Sequence, residues 1–153
     1  MVRTPSPAAL TDHLGYWLRL VSNHVSAAFA RRLDGQGVTV AEWVVLRELH
    51  DVASRPPSHL ADRMGMTRGA ISKLADRLVA KRLASRHANP EDGRAHSLAL
   101  TPEGRRLVPR LARLADANDA AIFGCLSAQE RAGVEAALRK IVAAHDLTTM
   151  PTE

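Results

Sequence analysis

Apolar residues recur at intervals of three and four along most of this chain, and that spacing constrains the fold more than any other feature of the sequence. In the first such segment they fall at Leu10, Leu14, Trp17, Val21 and Val25. These intervals place apolar side chains along one face of an α-helix. Aromatic residues make up only 3% of the chain, which favours packed helices over a β-sandwich. The sequence therefore predicts a mainly α fold.

Capping and turn residues divide the chain into six helices and one hairpin. The predicted N-caps are Ser6, Thr39, Thr67, Thr101 and Ser127, and the second and last of them belong to capping boxes. Residues 34–37 end the first helix, while the third opens after two prolines without an obvious side-chain cap and stops at Gly65. Short extended segments at 85–87 and 96–100 flank a turn composition at 89–93. The predicted order is α-α-α-α-β-β-α-α.

The length and composition indicate one globular domain. With 153 residues the chain can build one core but not two ordinary ones. No apolar run reaches the roughly 20 residues of a membrane span, and residues 1–7 lack the apolar stretch of a signal peptide. Because Cys125 is the only cysteine, no internal disulfide can form. We expect a single cytoplasmic domain over residues 1–153, without a cofactor and without a membrane partner.

The positive charge of the chain is concentrated in its middle. Residues 55–94 contain nine bases and four acids, so they carry the whole formal net charge of +5. The remainder of the chain has twelve of each and is neutral. Such asymmetry suggests a surface that faces a polyanion. On charge alone, a solvated basic face is an equally good interpretation.

Two short helices joined by a tight turn and followed by a basic hairpin are the layout of a winged helix-turn-helix. Only residues 65–66 separate the third helix from the fourth. The fourth helix begins after Thr67 and can present Arg68, Ser72 and Lys73 opposite its predicted core positions. Its first turn offers free backbone N–H groups and the positive end of the helix dipole to a phosphate. This arrangement predicts a helix that enters the major groove of double-stranded DNA.

Two stretches of the chain resemble one known family. Residues 57–74 (PSHLADRMGMTRGAISKL) are similar to the helix-turn-helix of the multiple antibiotic resistance regulator (MarR) family. Asp92 and Arg94, in an Asp-x-Arg pattern, resemble its wing, and the Leu-Thr-x-x-Gly from Leu100 to Gly104 resembles the start of its next helix. Helix order and lengths agree with that family over nearly the whole chain.

The resemblance implies a homodimer with two winged lobes. Residues 6–34 and 101–146 would supply the dimerisation helices, and residues 39–100 the DNA-binding lobe. In that family the wing aspartate holds the wing arginine, which reaches the minor groove, and these roles fall to Asp92 and Arg94. From the residues alone, an exposed ion pair in a solvated turn remains the alternative.

The predicted DNA-binding residues combine the recognition helix, its cap, the preceding helix and the wing. They are Ser58, Thr67, Arg68, Ser72, Lys73, Arg77, Arg86, Asp92 and Arg94. Arg68, Ser72 and Lys73 are expected to read bases, whereas Arg86 and Arg94 are expected to add general affinity. One residue departs from the family pattern, because Arg82 stands where the family usually has glycine. That departure leaves the end of the fourth helix and the entry to the wing open.

Tyr16 and Trp17 are the candidate ligand-binding residues. The resemblance implies a cleft for small aromatic acids between the dimer helices and the lobes, which an aromatic pair with cationic neighbours could line. Simple packing of Trp17 in the apolar stripe is the competing interpretation. The seven histidines match no metal-site spacing, although His87 and His96 could face each other across the hairpin, so no metal site is predicted. Cys125 is expected to be a small packed residue.

These features predict a homodimeric, DNA-binding transcriptional regulator, and we expect it to act as a repressor. It would bind a pseudo-palindromic operator and be released by a small aromatic or anionic effector. No nucleophile–base pair or carboxylate constellation indicates an enzyme. The alternative is an α-helical dimeric protein-interaction module without specific DNA binding.

Overall fold

The computed structural model describes residues 6–89 and 92–147, and the side chains at 89 and 92–95 lie outside that description. The predicted wing residues Asp92 and Arg94 therefore fall outside the described side chains. Within the described part, the elements are α1 (Leu14–Leu33), α2 (Val40–His50), α3 (Pro57–Met64), α4 (Arg68–Ala80), β1 (Ala84–Asn89), β2 (Asp92–Leu100), α5 (Pro102–Phe123) and α6 (Ala128–Ala144). The predicted order of six helices and one hairpin is confirmed.

The predicted start of the first helix at Ser6 is wrong. Residues 6–9 form no regular structure, Leu10–Asp12 form one 3-10 turn, and α1 begins at Leu14. The Ala9 N–H donates to Asp12 Oδ2 at 2.9 Å, a local bond that competes with helix formation. Leu10 is 73% exposed, so no packing stabilises further helical turns there.

The other helix boundaries follow the predicted capping chemistry. Thr39 and Glu42 form a reciprocal capping box at the start of α2. Thr67 Oγ1 accepts the Ala70 N–H at 3.1 Å, and α3 begins without a side-chain cap. Gly65 ends α3 with a φ of 64°, a left-handed conformation that glycine adopts without steric cost. These ends set the tight turn between α3 and α4.

The hairpin is joined by a third backbone segment that sequence analysis missed. The N–H and C=O groups of Arg55 and Leu98 exchange two hydrogen bonds of 2.9 Å, so the chain before α3 pairs with β2. The register of the hairpin places His87 opposite Ser97 and His96 opposite Ala88. His87 and His96 therefore point to opposite faces of the hairpin, because neighbouring positions of a strand do so, and they do not form a facing pair.

The hydrophobic core lies inside the lobe and hardly reaches α1 or α6. The largest buried side chains come from α2 to α5 and β2, and include Leu46, Leu49, Leu60, Ile71, Leu78, Leu98 and Leu111. From α1 only Phe29 and Leu33 are buried. No residue of α6 is buried within the described chain. The lobe therefore has a buried core, whereas most side chains of α1 and α6 are exposed in the isolated chain.

The start of α5 is locked onto the end of α4. The Thr101 hydroxyl donates to the Arg82 carbonyl at 2.7 Å, and the Thr101 N–H donates to the Leu83 carbonyl at 3.1 Å. A Cβ on Gly104 would lie 2.1 Å from the Leu83 carbonyl oxygen. The Leu-Thr-x-x-Gly pattern therefore has a packing role, because its threonine and glycine let two backbone segments touch.

Arg82 adopts the conformation that a glycine would supply. Its φ is 60°, and the N–H groups of Arg82 and Leu83 donate to the carbonyls of Val79 and Leu78, both at 2.9 Å. This is the hydrogen-bonding pattern of a Schellman motif. The end of α4 therefore has the same geometry that a glycine at position 82 would give. For arginine, however, this left-handed backbone conformation is unfavourable.

We expect Arg82→Gly to raise the free energy of unfolding by about 1 kcal/mol, because it relieves the left-handed backbone strain. Urea denaturation followed by circular dichroism measures the change. Arg31→Gly, in the last turn of α1, is the matched control and should lower stability, because Arg31 has no left-handed backbone strain to relieve. A loss of stability in Arg82→Gly would contradict the strain assigned to this position.

Candidate nucleic-acid interface

The outer face of α4 carries the predicted base-reading residues. Ile71, Leu74 and Leu78 pack into the core, while Arg68, Ser72 and Lys73 are exposed on the opposite side. Helical geometry places residues 68, 72 and 76 in one row and residues 69, 73 and 77 in the next. The structure therefore brings the predicted DNA-facing residues of α4 onto one continuous surface.

The first turn of α4 is open to a close approach. Thr67 uses its hydroxyl oxygen to cap the Ala70 N–H, while the first backbone N–H groups of the helix remain available to an anion. A Cβ on Gly69 would meet nothing within 4 Å, so this side of the turn is unobstructed. A phosphate or a base edge could approach the backbone here.

Arg86 of the hairpin forms an ion pair with α4. Its Nη2 donates to Asp76 Oδ1 at 2.6 Å, in a partly exposed pair that contributes little to stability. Asp76 is an acid on the DNA-facing row, and without a partner it would repel phosphate. Sequence analysis counted Arg86 as a free charge. It missed this ion pair because only the packing of the hairpin against α4 brings the two side chains together.

A cleft of about 590 Å³ separates the start of α3 from α4 and the hairpin. Ser58, Ser72 and Arg86 all line it, together with Asp76 and His96. The remaining candidates Thr67, Arg68, Lys73 and Arg77 do not line this cleft but lie exposed along α4 and its cap. The nine predicted residues thus divide into a cleft group, an outer α4 group and the two wing positions outside the described side chains.

Ion pairs redistribute the charge of the basic segment. Arg63 binds Glu48 through two hydrogen bonds of 2.5 and 3.2 Å, and Glu48 raises the pKa of Arg63 above its ordinary value. Lys81 Nζ lies 2.7 Å from Glu42 Oε2, and Glu42 is 1% exposed. Both acids lie outside residues 55–94. Among the described residues, Arg68, Lys73 and Arg77 have no ion pair, so their charges are available to phosphates.

The two candidate ligand-binding residues contact each other, but only Trp17 lines a groove. The rings of Tyr16 and Trp17 are nearly perpendicular, with centroids 5.2 Å apart. Trp17 lines an apolar groove of about 680 Å³ between α1 and the junction of α5 and α6, whereas Tyr16 does not. Cys125 lines the same groove and is exposed, so the expectation that it is a packed residue is wrong for the isolated chain.

In residues 6–89 and 92–147, no group of three or more His, Cys, Asp or Glu side chains is arranged to hold a metal ion. No helix of that part is both long and apolar enough to cross a bilayer.

A compact pair of helices, a tight turn and a hairpin whose strands follow the second helix define a winged helix-turn-helix lobe. A family model described as MarR family matches residues 36–95, which cover most of this lobe. The chain belongs to the MarR family.

Curated relatives support this assignment. An uncharacterised protein of Mycobacterium tuberculosis is 33% identical over 117 residues, covering 67% of this chain and 81% of that protein. The HTH-type transcriptional repressor MdtR of Bacillus subtilis is 34% identical over 87 residues, covering 57% of this chain. The match spans 56% of MdtR, so only about half of that relative is compared.

Solved structures share the fold over most of their length. A mutant of MarR from E. coli in complex with operator DNA superposes with a TM-score of 0.78 at 26% identity, covering 84% of this chain and 93% of that one. A second similar structure is BpsR of Bordetella bronchiseptica, whose DNA binding is regulated by 6-hydroxynicotinic acid. It superposes with a TM-score of 0.81 at 26% identity, covering 89% of this chain and 97% of that one.

Proposed function

We propose that this protein is a DNA-binding transcriptional regulator that acts as a repressor. Its α4 helix would recognise the operator sequence. The observation that carries the proposal is the outer face of α4, where Arg68, Lys73 and Arg77 have no ion pair among the described residues. Guanidinium and ammonium groups on a groove helix can bind both base edges and phosphates. The repressor MdtR and the MarR–operator complex are similar proteins that support this role.

The exposed apolar surface of α1 and α6 supports a homodimer. Its large side chains are 38–78% exposed and include Leu14, Trp17, Leu18, Leu20, Val21, Val134, Leu138, Ile141 and Val142. A second copy that covered this surface would remove apolar area from water, at roughly 25 cal/mol per Å². A two-fold axis would also present two α4 helices to successive major grooves, about 34–36 Å apart, as a pseudo-palindromic operator requires.

The wing and the effector site extend the same proposal. Asp92 would orient Arg94 toward the minor groove, where a narrow groove attracts arginine. A small aromatic or anionic effector would bind beside Trp17 and Tyr16 and oppose DNA binding by changing the distance between the lobes. The regulation of DNA binding by 6-hydroxynicotinic acid in the similar protein BpsR supports this class of effector. The proposal includes no catalytic step.

The second candidate function is a protein-interaction module that uses the apolar surface of α1 and α6. This surface would then bind another protein, and the basic face of α4 would be only a solvated surface. A fluorescence-anisotropy titration with the DNA upstream of the protein's own gene separates the two functions. Binding that survives excess unrelated DNA favours the regulator, and its absence favours the interaction module.

Arg68→Ala is expected to lower affinity for that DNA by about tenfold to hundredfold and to relax sequence preference. The reason is that a bidentate arginine–guanine contact contributes about 1–3 kcal/mol of discrimination. Arg31→Ala is the matched control, since Arg31 is exposed on α1 and has no ion pair among the described residues. Equal losses in both variants, with sequence preference intact, would refute base reading by Arg68.

A further inference from the structure

A second basic surface lies where α5 passes the end of α4. It is a cleft of about 710 Å³ whose walls come from the α1–α2 loop, the residues after α4 and the first half of α5. Lys81, at this end of α4, follows Thr67 by fourteen positions, which corresponds to about 20 Å along the helix. The cleft is therefore remote from the first turn of α4, where the DNA-facing surface begins.

Three arginines of α5 form one stripe in this cleft. Arg106, Arg110 and Arg113 all line it, and their intervals of four and three place them within about 60° of one another around the helix. Like charges on adjacent turns repel each other and destabilise a helix. Their exposed positions thus concentrate positive charge at an energetic cost.

Neighbouring acids do not neutralise this stripe. Within residues 6–89 and 92–147, Arg106, Arg110 and Arg113 take part in no ion pair, although Glu103 also lines the cleft. Other arginines of the chain, such as Arg63 and Arg131, are paired with acids. Like Arg68 and Arg77 of α4, the three arginines of the stripe therefore have no acid partner among the described residues.

Lys81 borders the cleft but already has partners. Its ammonium group donates to the Gly37 carbonyl and to Glu42 Oε2, both at 2.7 Å. The unsatisfied donors of the cleft are therefore guanidinium groups, which bind phosphate and carboxylate in bidentate geometry. The stripe runs over eight residues, 106–113, or about 10 Å of helix, which is longer than one carboxylate or one phosphate.

We propose that this cleft binds a small molecule carrying at least two anionic groups, phosphate or carboxylate, with Arg110 at the centre of the site. The cleft has the volume of a small-molecule site and is open to solvent, so its guanidinium groups are accessible to a ligand. The site goes beyond the proposed DNA-binding function, because it uses other residues and another face of the lobe. Phosphate and carboxylate share the same recognition by arginine, and the two probes below distinguish them.

Isothermal titration calorimetry of the full chain in chloride buffer tests the site at constant ionic strength, with inorganic pyrophosphate in one arm and citrate in the other. The wild-type protein should bind at least one of them with one site per chain. Arg110→Gln should weaken that binding at least about tenfold, because hydrogen bonds to charged groups are strong, and the Arg106→Gln/Arg110→Gln/Arg113→Gln variant should abolish it. Arg31→Gln removes one charge from α1 and should bind as the wild type does.

Three results would overturn this assignment: no binding of either probe, equal affinity in wild type and Arg110→Gln, or an equal loss in Arg31→Gln. A fourth result would also overturn it. If Arg110→Gln lost as much DNA affinity as Arg68→Ala in the absence of added anion, the stripe would be a DNA contact. The calorimetry contains no DNA, so a failure of the proposed regulator function would leave its result readable on its own.

Discussion

Leu138→Glu is expected to convert the dimer into a monomer and to weaken operator binding at least about a hundredfold. Leu138 is 41% exposed in the isolated chain. It lines the apolar groove that Trp17 also lines, and a second apolar groove of about 580 Å³ between α6 and the end of α5. A carboxylate at the centre of a dimer surface would be desolvated without a partner, which costs several kcal/mol. Once the lobes are separate, each binds only its own half-site and the gain from joint binding is lost. Sedimentation velocity and fluorescence anisotropy measure the two effects.

Ala136→Glu is the matched control for this experiment. Ala136 is exposed on α6, lines neither of the apolar grooves and lies on the opposite side of the helix from Leu138. This variant should remain a dimer with wild-type affinity. If Leu138→Glu sedimented as a dimer and bound the full operator normally, the apolar face of α6 would not be the dimer surface.

Gly104→Ala is expected to lower the free energy of unfolding by about 3 kcal/mol. The added methyl group would lie 2.1 Å from the Leu83 carbonyl oxygen, and because this atom is backbone it cannot rotate away. Relief of the clash requires α5 to move off the end of α4, which breaks the hydrogen bonds of Thr101 to Arg82 and Leu83. Urea denaturation gives the change as a shift of the midpoint at constant slope.

Gly69→Ala provides the contrast, because the new methyl group meets nothing within 4 Å. Alanine is a better helix former than glycine, so this variant should be more stable by about 0.5–1 kcal/mol. A Gly104→Ala protein as stable as Gly69→Ala would mean that the contact between α4 and α5 is looser than the structure has it.

Boundaries set by local hydrogen bonds could be predicted from the sequence. Thr39 and Glu42 are only three positions apart and cap each other, and Thr67 caps α4 in the same way. Gly65 ends α3 because the left-handed turn needs only that one residue. The start of α1 was missed because Ser6 carries a cap signal, while the helix there has nothing to pack against.

Contacts between distant residues could not be predicted in this way. Arg86 pairs with Asp76 ten positions away, and Lys81 with Glu42 thirty-nine positions away. Arg105 caps the end of α2 by donating to the His50 carbonyl, fifty-five positions away. Periodicity places each of these side chains on a surface, but only the packed fold decides which acid or carbonyl it meets. The charge count of residues 55–94 therefore overstates the positive charge that faces outward.

The pairing of Arg55 with Leu98 has a mechanical consequence for the lobe. It fastens the connection between α2 and α3 to β2, so the hairpin cannot swing without carrying α3 with it. Gly35 and Gly37, with φ values of 77° and 75°, lie instead in the short link between α1 and α2. We expect each lobe to turn about this link as one rigid lever that carries the start of α5 with it, with no bending at the hairpin.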